Sequence, residues 1–332
     1  MASLNQATPD GRTRIPLILG AMTFGKPNTH GARIHDLPTV QKIIDTFKAH
    51  GHTEIDTARL YGHGSSEEML SQVDLSGTTI DSKCYPINPG DHSPQKLRES
   101  LELSLQTLKL KKLRIFYLHS PDRSIPFEET LKGCHELFQE GKFEQLGLSN
   151  YQAWEVARIW EICDKNQFVK PTVYQAMYNS IVRSIEDELF PCCRALGIRI
   201  VIFNPLAGGF FAGKIKKVDD FVEKGGRFDP NHYQGKFYRE RYLKDSYFRA
   251  LESLTDVLKS YPEYDLLSIA SIWLQHHSKL QPSDGIIFGG SSHDQIEMNL
   301  KNFEKGPLPD EIVKSLDSAW QLVKAECPPY WR

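Results

Sequence analysis

The sequence predicts an α/β chain folded as a closed (β/α)8 TIM barrel. Three observations carry this expectation. Short apolar runs alternate with amphipathic stretches along most of the chain, and repeated β-then-α units imply a parallel sheet, because parallel strands need crossover connections. About eight such units over ~300 residues suit a closed barrel better than an open sheet. No GxGxxG follows an early strand, so the fingerprint of an open dinucleotide-binding sheet is missing.

The elements follow in order. Val40, Ile43, Ile44 and Phe47 recur at the spacing of one helical face. "HTEID" (52–56) reads as a strand and "HGSSEEMLSQ" (63–72) as a helix start, with Ser65 and Glu68 in capping-box spacing. "TTIDSK" (78–83) is a strand. Ser93 then precedes Pro94 as a cap before a first-turn proline, and Leu97, Leu101, Leu105 and Leu108 form a helical stripe. "RIFYLH" (114–119) is a strand, and Phe127, Leu131, Cys134 and Phe138 mark a helix. "FEQLGLSN" (143–150) runs as a strand into a helix beginning near Tyr151. "PTVYQAMYN" (171–179) is a strand, a helix lies near 187–196, and "IRIVIFNPL" (198–206) and "DGIIFGG" (284–290) are strands. Ile312, Val313, Leu316, Ala319, Trp320 and Val323 define a last helix. Segment 207–245 is polar, aromatic-rich and too long for an ordinary connection, so it reads as a functional excursion.

Composition bounds the function. The chain has 332 residues, 40% hydrophobic and 25% charged, with a net charge of -2. Nothing points to a nucleic-acid partner. No run reaches the length of a membrane helix and no signal peptide is visible. The polar "MASLNQATPDGRTR" is expected to be a flexible segment (1–14) ahead of one domain spanning 15–332. Cys84, Cys134, Cys163, Cys192, Cys193 and Cys327 form no CxxC pair and read as reduced thiols of a cytoplasmic protein without a metal site.

In such a barrel the chemistry gathers at the C-terminal strand ends. Those ends supply Asp56, with Tyr61 in the loop beyond, then Lys83, His119, Ser149, Asn150, Gln175 and Asn204. Singly, Asp56 reads as a cap, Tyr61 as a wall residue, Lys83 as an ion-pair partner and His119 as a satisfied loop histidine. Together they make a proton donor. A phenol near pKa 10 is a poor acid at neutral pH, a lysine beside it lowers that pKa, an aspartate holds the lysine, and a histidine orients a carbonyl oxygen. The electrons must come from a bound hydride donor.

"GHTEIDTARLYG" (51–62), "SK" (82–83), "FYLHSPD" (116–122), "GKFEQLGLSN" (141–150), "PTVYQAMYN" (171–179), "NPLAGGFFAGK" (204–214) and "GGSSHDQIEMNL" (289–300) together resemble the aldo-keto reductase family. Within it, "GRF" (226–228) and "ECPPYWR" (326–332) are similar to the aflatoxin-aldehyde and succinic-semialdehyde reductase branch. The likeness runs from about residue 15 to the end. It implies Asp56, Tyr61, Lys83 and His119 as the catalytic set, with NADPH reducing a small-molecule carbonyl. It assigns Asp56, Ser149, Asn150 and Gln175 to the nicotinamide end, and Asn204, Pro205, Leu206, Ala207, Gly208, Gly209, Gly213 and Lys214 to the pyrophosphate. Glycines at 208, 209 and 213 suit close backbone approach to phosphate. Ser291, Ser292, Gln295 and Asn299 fall at the adenosine end, where a serine cap opens a helix. Many members carry Lys or Arg where this chain has Ser292, so Arg227 and Lys214 are expected to supply the cation for the 2'-phosphate. His119, Tyr238, Arg241 and Arg332 are implied on the substrate side, with a C-terminal tail over the active site, long loops on that face and a homodimer.

Two other readings stand beside this one. Lys83 as a Schiff-base former would make the chain an aldolase, but it needs a depressed pKa and no tight aspartate partner. A barrel that keeps NADPH as a redox sensor would show little turnover, which the complete set of Asp56, Tyr61, Lys83 and His119 disfavours.

Overall fold

A computed structural model describes residues 12–29, 31–220, 222 and 224–332. Eight parallel strands close on themselves in the order β1 to β8: Leu17–Gly20, Glu54–Asp56, Thr79–Cys84, Leu113–Leu118, Phe143–Ser149, Pro171–Met177, Arg199–Phe203 and Gly285–Phe288. The seam is β1 against β8, with Leu17, Ile18 and Leu19 opposite Ile286, Ile287 and Phe288. The fold is therefore the expected TIM barrel, and every strand read from the sequence is present with its ends moved by a few residues. The first strand, within "PLILG" (16–20), escaped that reading.

The helices pack their apolar stripes on the outside of the sheet. In α1 (Leu37–Ala49) Val40, Ile43, Ile44 and Phe47 are buried. Next come α2 (Ser65–Leu70) and α3 (Pro94–Leu108), and in α3 Leu97, Leu101, Leu105 and Leu108 are buried. α4 is Phe127–Gln139, α5 is Ala153–Asn166 and α6 is Leu189–Ala195. The excursion after β7 holds α7 (Tyr233–Tyr242), followed by α8 (Asp245–Leu258) and α9 (Leu266–His276). α10 (His293–Phe303) and α11 (Asp310–Val323) complete the ring. One sequence reading needs correction, and one helix start moves slightly. Ser65 and Glu68 form no capping box: Gly64 is the N-cap of α2, and the Ser65 hydroxyl donates back to the Gly62 carbonyl at 2.6 Å. The helix expected near Tyr151 starts at Ala153, where Gln152 and Glu155 form the box instead.

Residues 1–11 of the expected flexible segment lie outside the described residues. Arg14 is tied down, donating to the carbonyls of Gln275 and Leu280 at 2.9 and 3.1 Å. Among the described residues no helix is long and apolar enough to cross a membrane.

Alternate strand residues point inward, and Ile18, Ile115, Tyr117, Val173, Val201 and Ile287 fill the middle of the barrel. Below this layer lies an ionic plug. Arg114 bonds Asp81 at 2.9 and 2.5 Å and Glu54 at 2.8 Å, and Arg199 bonds Glu54 at 3.2 Å. Burial pushes the Asp81 carboxyl up from 3.8 to about 6, against the pull of Arg114. A raised folded-state pKa makes the acid's stabilising contribution complete below pH 3.8 and lost as pH rises through about 6. In Asp81→Asn the unfolding free energy, followed by urea titration from pH 4 to 8, should lose this fall, on the order of 2–3 kcal/mol. An unchanged pH dependence would remove Asp81 as its source.

Candidate active site

The upper ends of the strands carry the polar residues. Glu54 and Asp56 share the inward face of β2, one in the plug and one at the mouth, while Ile55 packs outward in the core. On β3, Asp81 and Lys83 repeat the arrangement two residues apart. Lys83 is fully buried. Its ammonium donates to the Asp56 carboxylate at 2.6 Å and to the Thr57 carbonyl at 2.7 Å. It also lies 5.0 Å from the centre of the Tyr61 ring. Burial pulls the Lys83 pKa down, but Asp56 and Tyr61 outweigh it and the net direction is upward. Lys83 thus stays protonated, which is the wrong state for a Schiff-base nucleophile.

The Tyr61 phenol differs from the simple expectation. Lys83 does draw its pKa down, but burial is the larger effect and the net direction is up. The sequence gives the neighbours of a group and not its desolvation. His119 stands edge-on to Tyr61 and Tyr85, with ring centres 6.0 and 5.4 Å away. Burial, then the charges of Lys83 and Arg332, push its pKa well below the usual histidine value. It is neutral at physiological pH, and its buried Nδ1 has no partner. A neutral imidazole beside a phenol suits hydrogen bonding to a carbonyl oxygen.

Ser149, Asn150 and Gln175 ring the same mouth. Asn150 takes a left-handed backbone (φ 63) and donates through Nδ2 to the His119 carbonyl at 2.8 Å and to the Ser149 hydroxyl at 3.1 Å. Gln175 donates through Nε2 to Asp56 at 2.9 Å. The side-chain oxygens of Asn150 and Gln175 remain as acceptors and the Ser149 hydroxyl as a donor. That complement fits a carboxamide, which offers two N–H groups and one carbonyl.

Beyond β7 the chain bends sharply. Asn204, Ala207, Gly208, Gly209 and Gly213 all have positive φ, between 50° and 95°. A Cβ on Gly208 would lie 2.2 Å from the Tyr238 ring, so glycine is required there, whereas the space beside Gly209 is open. This run places Pro205 and Leu206 in the turn below it and leaves Lys214 exposed. Asn204 donates to the Tyr242 hydroxyl at 2.6 Å. At the start of α10 the Ser292 hydroxyl caps the helix, accepting from the Gln295 amide at 3.3 Å. Ser291 donates to the Gln295 side chain at 2.9 Å, and Asn299 donates to the Gly289 carbonyl at 3.1 Å while its buried Oδ1 has no partner. An extended ligand with an amide head and an anionic middle fits this track.

Two arginines, Arg227 and Arg241, flank Tyr238. Arg227 donates to its hydroxyl at 3.1 Å and lies 5.4 Å from its ring centre, and Arg241 lies 5.6 Å from the same ring. The charge of Arg227 also reaches the Tyr61 phenol. Arg332 lies over Phe237, and its backbone N–H donates to the Asn150 carbonyl at 3.1 Å. The final residues therefore do cross the mouth, anchored by the Tyr330 hydroxyl, which accepts from the Ala153 amide at 3.0 Å and donates to Glu188. The sequence reading passed over Thr57, Tyr85 and Tyr242, and also Arg59, Glu67 and Ser82. Thr57 and Arg59 stand inside the stretch that carries Asp56 and Tyr61, which was their available signal.

Comparison with known proteins follows this geometry. The sequence model described as "Aldo/keto reductase family" matches residues 16–321. The human "Aldo-keto reductase family 7 member A3" is 43% identical, covering 97% of this chain and 98% of that protein. The human "Aflatoxin B1 aldehyde reductase member 4" is 41% identical over 96% of this chain and 98% of its own length. "Aldo-keto reductase pigE" of Monascus ruber is 40% identical over 96% and 98%.

Proposed function

This chain belongs to the aldo/keto reductase family and is an oxidoreductase acting on aldehydes or ketones, and from that premise we propose that it draws hydride from NADPH and the proton from Tyr61. The observation that carries the reading is the buried Asp56–Lys83 pair set against the Tyr61 ring. Asp56 keeps Lys83 charged, Lys83 opposes the burial that would otherwise hold the phenol proton too tightly, and neutral His119 directs the carbonyl oxygen. When bound, the nicotinamide supplies the hydride. Ser149, Asn150 and Gln175 would hold its carboxamide, with Asp56 behind Gln175. Asn204 to Gly209, Gly213 and Lys214 would follow the pyrophosphate, and Ser291, Ser292, Gln295 and Asn299 the adenosine end.

Arg241, Arg332, Tyr238 and His119 would recognise the substrate, and guanidinium groups at the mouth favour a carbonyl compound bearing a carboxylate or similar polar group. The same reading takes 15–332 as one catalytic domain of a cytoplasmic homodimer. The test is a panel of aldehydes and ketones assayed by loss of NADPH absorbance. Many cofactor equivalents should be consumed per enzyme, whereas a single equivalent would favour a redox-sensing barrel. Borohydride trapping with the same panel should leave Lys83 unmodified, and an adduct there would return the aldolase reading.

Cofactor choice rests on Arg227. Serine at 292 offers only neutral hydrogen bonds to a 2'-phosphate, and a charged group must supply the preference. Arg227→Ala should weaken NADPH binding by ~1.5–3 kcal/mol, the scale of a hydrogen bond to a charged group. NADH binding should barely change, and high salt should shrink the difference. Fluorescence titration of both cofactors reads this directly. Equal losses would place Arg227 on the shared pyrophosphate or in the fold and turn the search for selectivity to Lys214 and Ser291, whereas a rise confined to the KM of anionic aldehydes would assign it to the carbonyl end, beside Tyr238.

A further inference from the structure

Tyr61 stands on a turn that proteins seldom build without support. Gly62 (φ 55, ψ 30), His63 (φ 54, ψ 38) and Gly64 (φ 91, ψ -12) follow it in left-handed conformations. A non-glycine residue in that region, here His63, is strained unless its surroundings hold it. One carboxylate gathers what holds this turn. Glu67 of α2 is fully buried. It accepts from the Arg59 guanidinium at 2.6 Å on one oxygen and from the Ser82 hydroxyl at 2.6 Å on the other. Arg59 opens the turn that carries Tyr61, and Ser82 directly precedes Lys83. The Arg59 guanidinium occupies the space beside Gly64, where a Cβ would lie 1.2 Å from it. A further bond, at 3.0 Å, ties Arg59 to Thr107 of α3.

We infer that Glu67 is a positioning residue for the reaction, a clamp that fixes the Tyr61 turn against the strand bearing Lys83 and so sets the distance between phenol and ammonium. The inference rests on the reading of Tyr61 as proton donor. Ser82 points outward from β3 while Lys83 points into the barrel, so the clamp grips the strand from outside and the chemistry takes place inside. Glu67 is buried, with both its oxygens bound to Arg59 and Ser82, so it is closed to a ligand at the mouth. Its loss should therefore leave binding intact and displace the acid from the cation that eases its ionisation.

The experiment uses Glu67→Gln, which keeps the shape but removes the charge held by Arg59. The kcat for aldehyde reduction should fall roughly 10–100-fold, the usual cost of about an ångström of misplacement. KM and NADPH affinity should stay within about twofold, as expected when only the transition state is affected. The alkaline limb of the kcat profile should move to higher pH, because a phenol farther from Lys83 holds its proton more firmly. Arg59→Met/Glu67→Leu exchanges the buried pair for apolar groups, a change that often preserves stability. That double variant should melt close to wild type yet keep the low kcat and the displaced limb. Wild-type kcat and pH limb in either folded variant would overturn the clamp, as would activity losses that track melting temperature alone. Tyr61→Phe is measured in parallel. If it alone turned over normally, the proton-donor reading would fail. If it were inactive while the Glu67 variants behaved as wild type, only the clamp would fail.

Discussion

Tyr61→Phe should lower carbonyl reduction by ~10²–10⁴-fold, the range that a positioned general acid contributes. The substitution removes the proton and leaves the ring that stands 5.0 Å from the Lys83 ammonium and edge-on to His119. Burial raises the pKa of this phenol, so in wild type the proton is present throughout the neutral range. The rate of reduction should accordingly show no loss of the acid as pH rises from 6 to 8. NADPH affinity, followed by fluorescence quenching, should change little, since the phenol is assigned no cofactor contact. Turnover at the wild-type rate in Tyr61→Phe would dismiss it as the acid and turn attention to His119.

Lys83→Met should be more damaging, because it strikes both reaction and fold. The carboxylate of Asp56 is nearly inaccessible and would keep only Gln175 as a partner. Removing one member of a buried ion pair typically costs about 3–5 kcal/mol, since the survivor is left charged and unpaired. At the same time the phenol loses the cation that offsets its burial, so its pKa should climb further and reduction should fall by at least ~10²-fold. Lys83→Met/Asp56→Asn separates the two effects. It should recover most of the stability in a urea titration and none of the turnover. Recovery of turnover in the double variant would mean that Lys83 serves only to neutralise Asp56.

These strand ends were legible because the apolar run stops at a polar residue: "HTEID" at Asp56, "RIFYLH" at His119, "FEQLGLSN" at Asn150. Barrel geometry then brings these ends together whatever lies between them. Other features had no local signal. β1 is only Leu17–Gly20, too short for alternation to show. Aromatic and charged residues alternate without a clear face along α7, since its partners are a turn and neighbouring rings and not a sheet. Ser65 and Glu68 have the spacing of a capping box, but the left-handed Gly64 before them sends the serine back to Gly62. Glu67 looked like one more acid on a helix start. Its meaning depends on Ser82, which reaches it only once β3 lies beside α2. The direction of the Tyr61 pKa required knowing how deeply the ring is enclosed.

The seam between β1 and β8 joins residues 17–19 to 286–288, and that pairing bears on how the molecule comes into being. During synthesis the opening strand emerges early and has β2 on one side, while its other edge waits for nearly the whole chain. Until residue 285 is made, β1 and β7 each present unpaired backbone groups, the kind of edge on which other chains pair and aggregate. A nascent chain halted inside α8 or α9 would thus be an open, adhesive sheet and not a smaller enzyme. The strands that bear Asp56 and Lys83, and the one that ends just before His119, would already exist in it, yet their barrel would not close. Quality control of this protein is therefore tied to β8: a nonsense or frameshift lesion anywhere before residue 285 should leave the same open edges as one near the middle of the chain.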